Sequence, residues 1–340
     1  MSKAFDLVDH ILLGKKLVEA NVPPDLVYIL MHYLRNQSGR VCWGISSGEY
    51  SVIDKGVRQG GLISPLLFKF YINSLVNTIT EKGPGCSLGL SKLNIIAYAD
   101  DLVLLAKSEQ SLGLLYKLLK SQISQLKLKI NISKTKGILF SKKVLSDTNY
   151  HVNFTLDNDI IVVERHFKYL GHYVECGLKD TTNIKNRLNE FYSKFNSFYR
   201  SFDKINIDTL LFLFNSYCSP NFGIELWNSD EIFKNQFFKV FETAFSNALK
   251  RMTSVPRYAS SHIVAEMCNQ LLLKHLVARI QLGYYRRLLS SQNKLIRLNL
   301  PILRNGLSMP FIFNNFKLNY GVNIENNDWD ALRSRLFFYA

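Results

Sequence analysis

Residues 93–108 read LNIIAYADDLVLLAKS and set Asp100 and Asp101 side by side between two apolar runs. A tight turn between such runs makes a hairpin, in which successive side chains point to opposite faces. Two carboxylates held against an apolar sheet cost several kcal/mol unless cations neutralise them or one takes up a proton. Divalent cations are the usual remedy, because hard Mg²⁺ takes one or two carboxylates together with the phosphates of a substrate. Two such ions roughly 3.5–4 Å apart suit phosphoryl transfer. A solvated Asp-Asp turn is the competing explanation, since Asp is common in hairpin turns.

The rest of the chain says what such a hairpin could serve. With 340 residues and 47% hydrophobic content it can bury a sizeable core, as two domains or one large one. Lys and Arg number 42 against 27 acidic residues, a formal charge of +15 with a pI near 9.5, so the expected partners are polyanions. Nucleic acid comes first among them and an anionic membrane surface second. No apolar run reaches the roughly 18 residues of a membrane span, and no signal-peptide pattern follows Met1, so an intracellular protein without membrane association is expected. The five cysteines are scattered without a CxxC pair, and His10, His32, His172 and His262 lack metal-ligand spacing.

Apolar spacing predicts two short helices over 11–35, broken at Pro23 and Pro24, and a hairpin over 41–54. A glycine-rich turn, KGVRQGG, then leads into a helix with Ser64 as N-cap, Pro65 as first residue and Leu67, Tyr71, Leu75 and Ile79 on one face. Residues 81–92 read as a loop, 111–126 as a helix, 127–140 as strand, 141–151 as a polar loop and 167–174 as another strand. From about 182 the chain is helical and basic with interleaved aromatics, which sets a boundary near 178. Lys185, Arg187, Lys194 and Arg200 fall near one another on a helix and could track a nucleic-acid backbone, or form a solvated face. Residues 300–340 carry no pattern that assigns an element.

The glycine turn places backbone N–H groups at a positive helix end, where phosphate can bind, although such turns are more often only turns. In order along the chain, SKAFDLVDH (2–10), GVRQGGLISPLLFKFYINSL (56–75), YADDLVLLA (98–106), LKINISKTKGILF (128–140) and FKYLGHYV (167–174) resemble the reverse transcriptase domain of non-LTR (LINE-like) retrotransposons. The resemblance implies an α+β right-hand polymerase. Residues 1–178 would form a partial palm, an antiparallel sheet backed by helices, and 179–340 a mainly helical thumb and C-terminal region. It implies RNA template, DNA primer and dNTP as partners and Mg²⁺, or Mn²⁺, as cofactor. By position Asp100 and Asp101 match metal-binding catalytic aspartates, and Lys134 matches a lysine that stabilises leaving pyrophosphate. Phe5 matches an aromatic gate against a 2′-hydroxyl, and Arg58, Gln59 and Gly60 match the turn along the incoming nucleotide. Tyr169, Leu170 and Gly171 match the hairpin that holds the primer end. From the residues alone, Phe5 reads equally as a core aromatic, Arg58 and Lys134 as solvated cations, and Tyr169–Gly171 as a plain strand with a turn glycine.

The family pattern also carries a third aspartate five residues ahead of the aromatic gate, a position just before Met1 here. A truncated sequence with little or no polymerase activity is therefore expected. A non-catalytic nucleic-acid-binding relic is the alternative; an intron-encoded maturase-type enzyme and an RNA-dependent RNA polymerase compete less well, the latter because Ala99 stands where Gly is usual and Phe5 is bulky.

Overall fold

The computed structural model describes residues 1, 3–89, 91–140, 153–202, 205–219, 223–228 and 232–306, over 301–306 as backbone alone. These residues form two compact units. One takes in Met1–Gly137 and the hairpin ending at Val163; the other runs from Glu164 through the described C-terminal helices.

In the first unit, α1 (His10–Glu19) and α2 (Pro24–Arg35) meet at Pro23 and Pro24, as the spacing predicts. The long α3 (Ser64–Lys82) buries Leu67, Tyr71, Leu75 and Ile79, each no more than 2% exposed. This i, i+4 stripe joins Leu13 and Leu17 of α1 and Leu115, Leu119 and Ile123 of α4 (Glu109–Gln125) in one core. Asp9 caps α1 by accepting from the Leu12 amide and pairs with Lys127 at 2.6 Å. The Lys127 hydrogen bond, then the Leu12 amide, holds the Asp9 carboxyl below its ordinary value.

Several local elements differ from the sequence pattern. Ser64 is the buried first residue of α3 and not its cap, because the chain already winds at Ile63 (φ −87°, ψ −18°). Two reverse-turn bonds lead into it, Gly61 N–H to the Arg58 carbonyl and Ser64 N–H to the Gly61 carbonyl. The expected loop over 81–92 contains a hairpin, Cys86–Leu88 with Ser91–Leu93. The expected strand over 127–140 is mostly irregular. Asn131 accepts from the Lys134 amide and folds Ile132–Lys134 into a 3₁₀ turn, leaving Lys136–Gly137 to pair in parallel with Val162–Val163. A further hairpin, Asn153–Leu156 with Asp159–Val163, packs on α4, where Lys120 and Tyr116 both bond Asp159. The expected 141–151 loop lies outside the described residues.

The second unit opens with the hairpin His166–Tyr169/His172–Glu175, two strands where one is expected. There follow α5 (Thr181–Phe202), α6 (Ile207–Tyr217), α7 (Gln236–Met252), α8 (Ser261–Met267), α9 (Leu273–Leu289) and α10 (Lys294–Gly306). Phe191, Phe195 and Phe198 of α5 meet Phe214 of α6 and Phe241 and Phe245 of α7 in a buried aromatic core, while Tyr192 faces solvent. Other phenylalanines of the unit, Phe202 and Phe212, are exposed. Among the described residues no helix is long and apolar enough to cross a membrane. The architecture is α+β, helix-rich with small, mainly antiparallel sheets.

One hydroxyl ties three elements of the first unit together. Tyr71 donates to the Leu126 carbonyl at 2.6 Å and accepts from the Asp9 amide at 3.2 Å, all in the core. Tyr71→Phe keeps the ring and leaves two buried backbone groups unpaired, so it should lower stability by about 1–3 kcal/mol. An unchanged urea midpoint would contradict this shared role.

Candidate functional site

Strands Ile95–Tyr98 and Asp101–Leu104 pair with Tyr98 opposite Asp101, leaving Ala99 and Asp100 as a two-residue turn. Left-handed backbone suits so tight a turn, and Ala99 supplies it at φ +51°, at a cost of roughly 1–2 kcal/mol for a residue with a Cβ. The apolar pattern predicts both aspartates at the tip; in the structure only Asp100 sits there, and Asp101 opens the return strand. Asp100 is half-buried and Asp101 exposed. Neither carboxylate makes a hydrogen bond or ion pair among the described residues.

The open end of this hairpin is fixed by Asn94, which the sequence marks only as a lone amide inside an apolar run. Asn94 is 1% exposed and donates from Nδ2 to the Ile79 carbonyl (2.7 Å) and the Gly83 carbonyl (3.0 Å), satisfying the end of α3. Its backbone carbonyl accepts from the Leu105 amide at 3.0 Å. Gly85 must be glycine here, because a Cβ would stand 2.1 Å from the Asn94 Cβ. At the other end of the hairpin the Asp100 carbonyl accepts from the Met1 amine at 2.9 Å.

Met1 leads directly to the second group of expected residues. The Phe5 ring stacks on Phe68 of α3, centroids 4.6 Å apart and planes 17° from parallel. The Phe5 carbonyl accepts from the Val57 amide at 2.8 Å, and the Val8 carbonyl from Gly56 at the same distance. Gly56 has φ +92°, and a Cβ there would lie 2.9 Å from the Asp6 backbone, so only glycine permits this approach. The crossing brings Gln59 within reach of Asp6, to which its Nε2 donates at 3.0 Å. Motif matching alone does not single out Asp6 as the partner of Gln59. Arg58, Gln59 and Gly60 are exposed, with Gly60 at φ +81° facing open space.

Lys134 is exposed at the end of its 3₁₀ turn, and among the described residues nothing bonds it to Asp100 or Asp101. Tyr169, Leu170 and Gly171 belong to the second unit. Leu170 (φ +45°) and Gly171 (φ +82°) form the turn of its first hairpin. Arg187 donates to the Gly171 carbonyl at 3.0 Å and pairs with Glu190 at 2.7 Å. The expected cationic stripe on α5 therefore loses Arg187, which is turned inward against the hairpin.

His172, beside that turn, accepts at Nδ1 from the Asn183 amide at 2.7 Å, and Asn183 accepts from Trp227 Nε1 at 3.4 Å. This chain of donors requires a neutral imidazole whose Nε2 faces Asp180 at 3.9 Å. Burial first, and then Arg187, depress the His172 pKa, with Glu225 opposing. Burial likewise brings His275 down to about 4. Unfolded imidazole takes the proton first, so the stability these groups support is full above about pH 6.5 and is lost as pH falls through the folded values. Acidification from about pH 7 to about pH 5 should lower the stability of the second unit, and His172→Gln should reduce that loss. Hydrogen exchange of α5 amides reads it; an identical pH slope in the variant would contradict it.

Comparison with known proteins bears on what this arrangement belongs to. The family described as reverse transcriptase (RNA-dependent DNA polymerase) matches residues 1–174, from the first residue through both turns. The Pol polyprotein of the type-1 retrotransposable element R2 of Nasonia vitripennis is 28% identical over 179 residues, covering 50% of this chain and 17% of that protein. The Pol polyprotein of the type-2 element R2DM of Drosophila melanogaster is 32% identical over 180 residues, with the same shares. A type-1 R2 Pol polyprotein of Popillia japonica is 29% identical over 104 residues, covering 30% of this chain and 17% of that protein. The chain thus spans about a sixth of the length of the curated relatives it matches. With 174 of its 340 residues matched by that one family, the chain belongs to the reverse transcriptases.

Proposed function

We propose that this chain is the reverse-transcriptase part of a non-LTR retrotransposon polyprotein, built to add deoxynucleotides to a primer 3′-hydroxyl on an RNA template. The observation that carries the proposal is the pair of unengaged carboxylates, Asp100 and Asp101, at a strained turn beside the Phe5–Gln59 crossing. In this reading residues 1–178 work as a palm and 179–340 as a helical thumb and C-terminal region.

The residues present fit a divalent cation in part. Asp100 and Asp101 offer adjacent hard oxygen donors with no competing internal partner, the kind and number that Mg²⁺ takes when substrate phosphates complete its shell. Among the described residues no group of three or more His, Cys, Asp or Glu adds to them. Bound there, Mg²⁺ or Mn²⁺ would activate the primer hydroxyl and neutralise phosphate charge. The chain's own side chains do the rest. Phe5, braced by Phe68, fills the space beneath the sugar and excludes a 2′-hydroxyl. Asp6 orients the Gln59 carboxamide along the incoming nucleotide, with Gly60 leaving room and Arg58 free to meet its phosphates. Lys134 supplies an ammonium as negative charge develops on the leaving pyrophosphate. Tyr169, Leu170 and Gly171 hold the primer end, with Arg187 fixing the turn.

The third carboxylate that the family pattern places five residues ahead of Phe5 is not among these 340 residues. Binding should therefore outlast chemistry. The 340-residue protein is expected to hold oligo(dT)·poly(rA), to hold it several-fold tighter with Mg²⁺ and dTTP, and to extend it at background rate. Asp100→Ala and Asp101→Ala should each abolish the Mg²⁺ and dTTP effect. Affinity indifferent to Mg²⁺ and dTTP would favour a non-catalytic nucleic-acid-binding protein; rapid extension that Asp100→Ala abolishes would contradict the need for a third carboxylate.

A further inference from the structure

The second unit carries a cleft of about 570 Å³ between α5 and α7, within the range of roughly 300–1,000 Å³ usual for small-ligand sites. Its shape follows from the sequence of α7. Ala244 and Ala248, one turn apart, leave a hollow against Phe191 and Phe195 of α5, whose rings are buried and within 8° of parallel. Asn247, Lys250 and Arg251 continue the same edge of α7 at i, i+3 and i+4.

Charge in the cleft has one sign. Lys250, Arg251 and Arg257 line it, and no carboxylate does. Lys250 is 6% exposed and donates to the Arg257 carbonyl at 2.9 Å, fastening the turn after α7 as a third wall. The Arg251 guanidinium lies 4.3 Å over the Tyr199 ring, which holds a planar, always-charged donor in place. Asn196 and Asn247 also line the cleft, and their carboxamides make no hydrogen bond among the described residues. Tyr192, 43% exposed, stands at the mouth.

An aromatic face, amides with open donors and acceptors, and fixed cations without an acid are the complements of a base, a base edge and a phosphodiester. A duplex offers its stacked bases to no such cleft. We propose that the α5–α7 cleft binds an unpaired nucleotide of a nucleic-acid strand, the base against Tyr192 and the phosphates on Arg251 and Arg257. The site uses the second unit alone, so it does not rest on polymerase activity.

Fluorescence anisotropy of a labelled single-stranded RNA on the full 340-residue protein, without Mg²⁺ or dNTP, tests this. Tyr192→Ala and Arg257→Glu, both at exposed positions, should each weaken single-strand binding about tenfold, with circular dichroism unchanged. Lys294→Glu, the same charge change elsewhere, should weaken it by less than about twofold, and Asp100→Ala should leave it unaltered. Equal losses from Arg257→Glu and Lys294→Glu, or none from Tyr192→Ala, would overturn the cleft as the site. Displacement of the RNA by polyglutamate as readily as by unlabelled strand would assign it to an acidic polypeptide instead, and displacement by AMP at equal nucleotide concentration would assign it to a free mononucleotide.

Discussion

The aspartate hairpin of the first unit hangs on the Asn94 carboxamide. A hairpin of four-residue strands has little stability alone, and the C-terminal carbonyls of a helix need donors. Asn94 answers both needs by bonding Ile79 and Gly83 at the end of α3 while opening the hairpin that bears the aspartates. The dimensions then match. From Phe68 to Gly83 the helix runs roughly 22 Å, and from Asn94 to Asp100 an extended chain covers roughly 20 Å. The turn therefore returns to the level at which Met1 meets Asp100 and Phe5 stacks on Phe68. A buried helix, packed along Leu67–Ile79, sets the spacing between the aspartate turn and the Phe5 ring.

Periodicity made α3 and its buried face legible, because four apolar residues at i, i+4 admit one helical solution. The breaks at Pro23–Pro24 and the helix after Ser108 were legible for similar reasons. What escaped depends on contacts distant in sequence. Asn94 is one polar residue in an apolar run until its partners at 79 and 83 are known, and Asp6 gains meaning only where Gly56 lets two segments cross. Arg187 looks like any basic residue on a helix face until the Gly171 carbonyl is found beside it. The Asn131 side chain likewise converted expected strand into a 3₁₀ turn by a local bond that hydrophobic pattern does not register. Ordered motifs identified the catalytic class; they did not show which side chains hold the motifs in place.

In the proposed reading the two units serve polyanion binding in different ways. In the first, acidic groups are left without internal partners and cations such as Lys16 and Lys127 are committed to the fold, through Ser74 and Asp9. In the second, phenylalanines build the core and release tyrosines, amides and guanidinium groups to the rim of a cleft. A net charge of +15 favours polyanions in general. In that reading, site-specific geometry separates catalysis from grip.

In the proposed reading Asp100 and Asp101 share a hairpin end because it receives divalent cations. Iron(II)-directed backbone cleavage of the 340-residue protein bound to oligo(dT)·poly(rA) and dTTP measures this most directly. Cuts confined to the Tyr98–Leu102 turn and the neighbouring Met1–Phe5 segment, suppressed by excess Mg²⁺ and lost in Asp100→Ala, are the predicted result. Cleavage that ignores this turn, or that persists unchanged in Asp100→Ala, would contradict it.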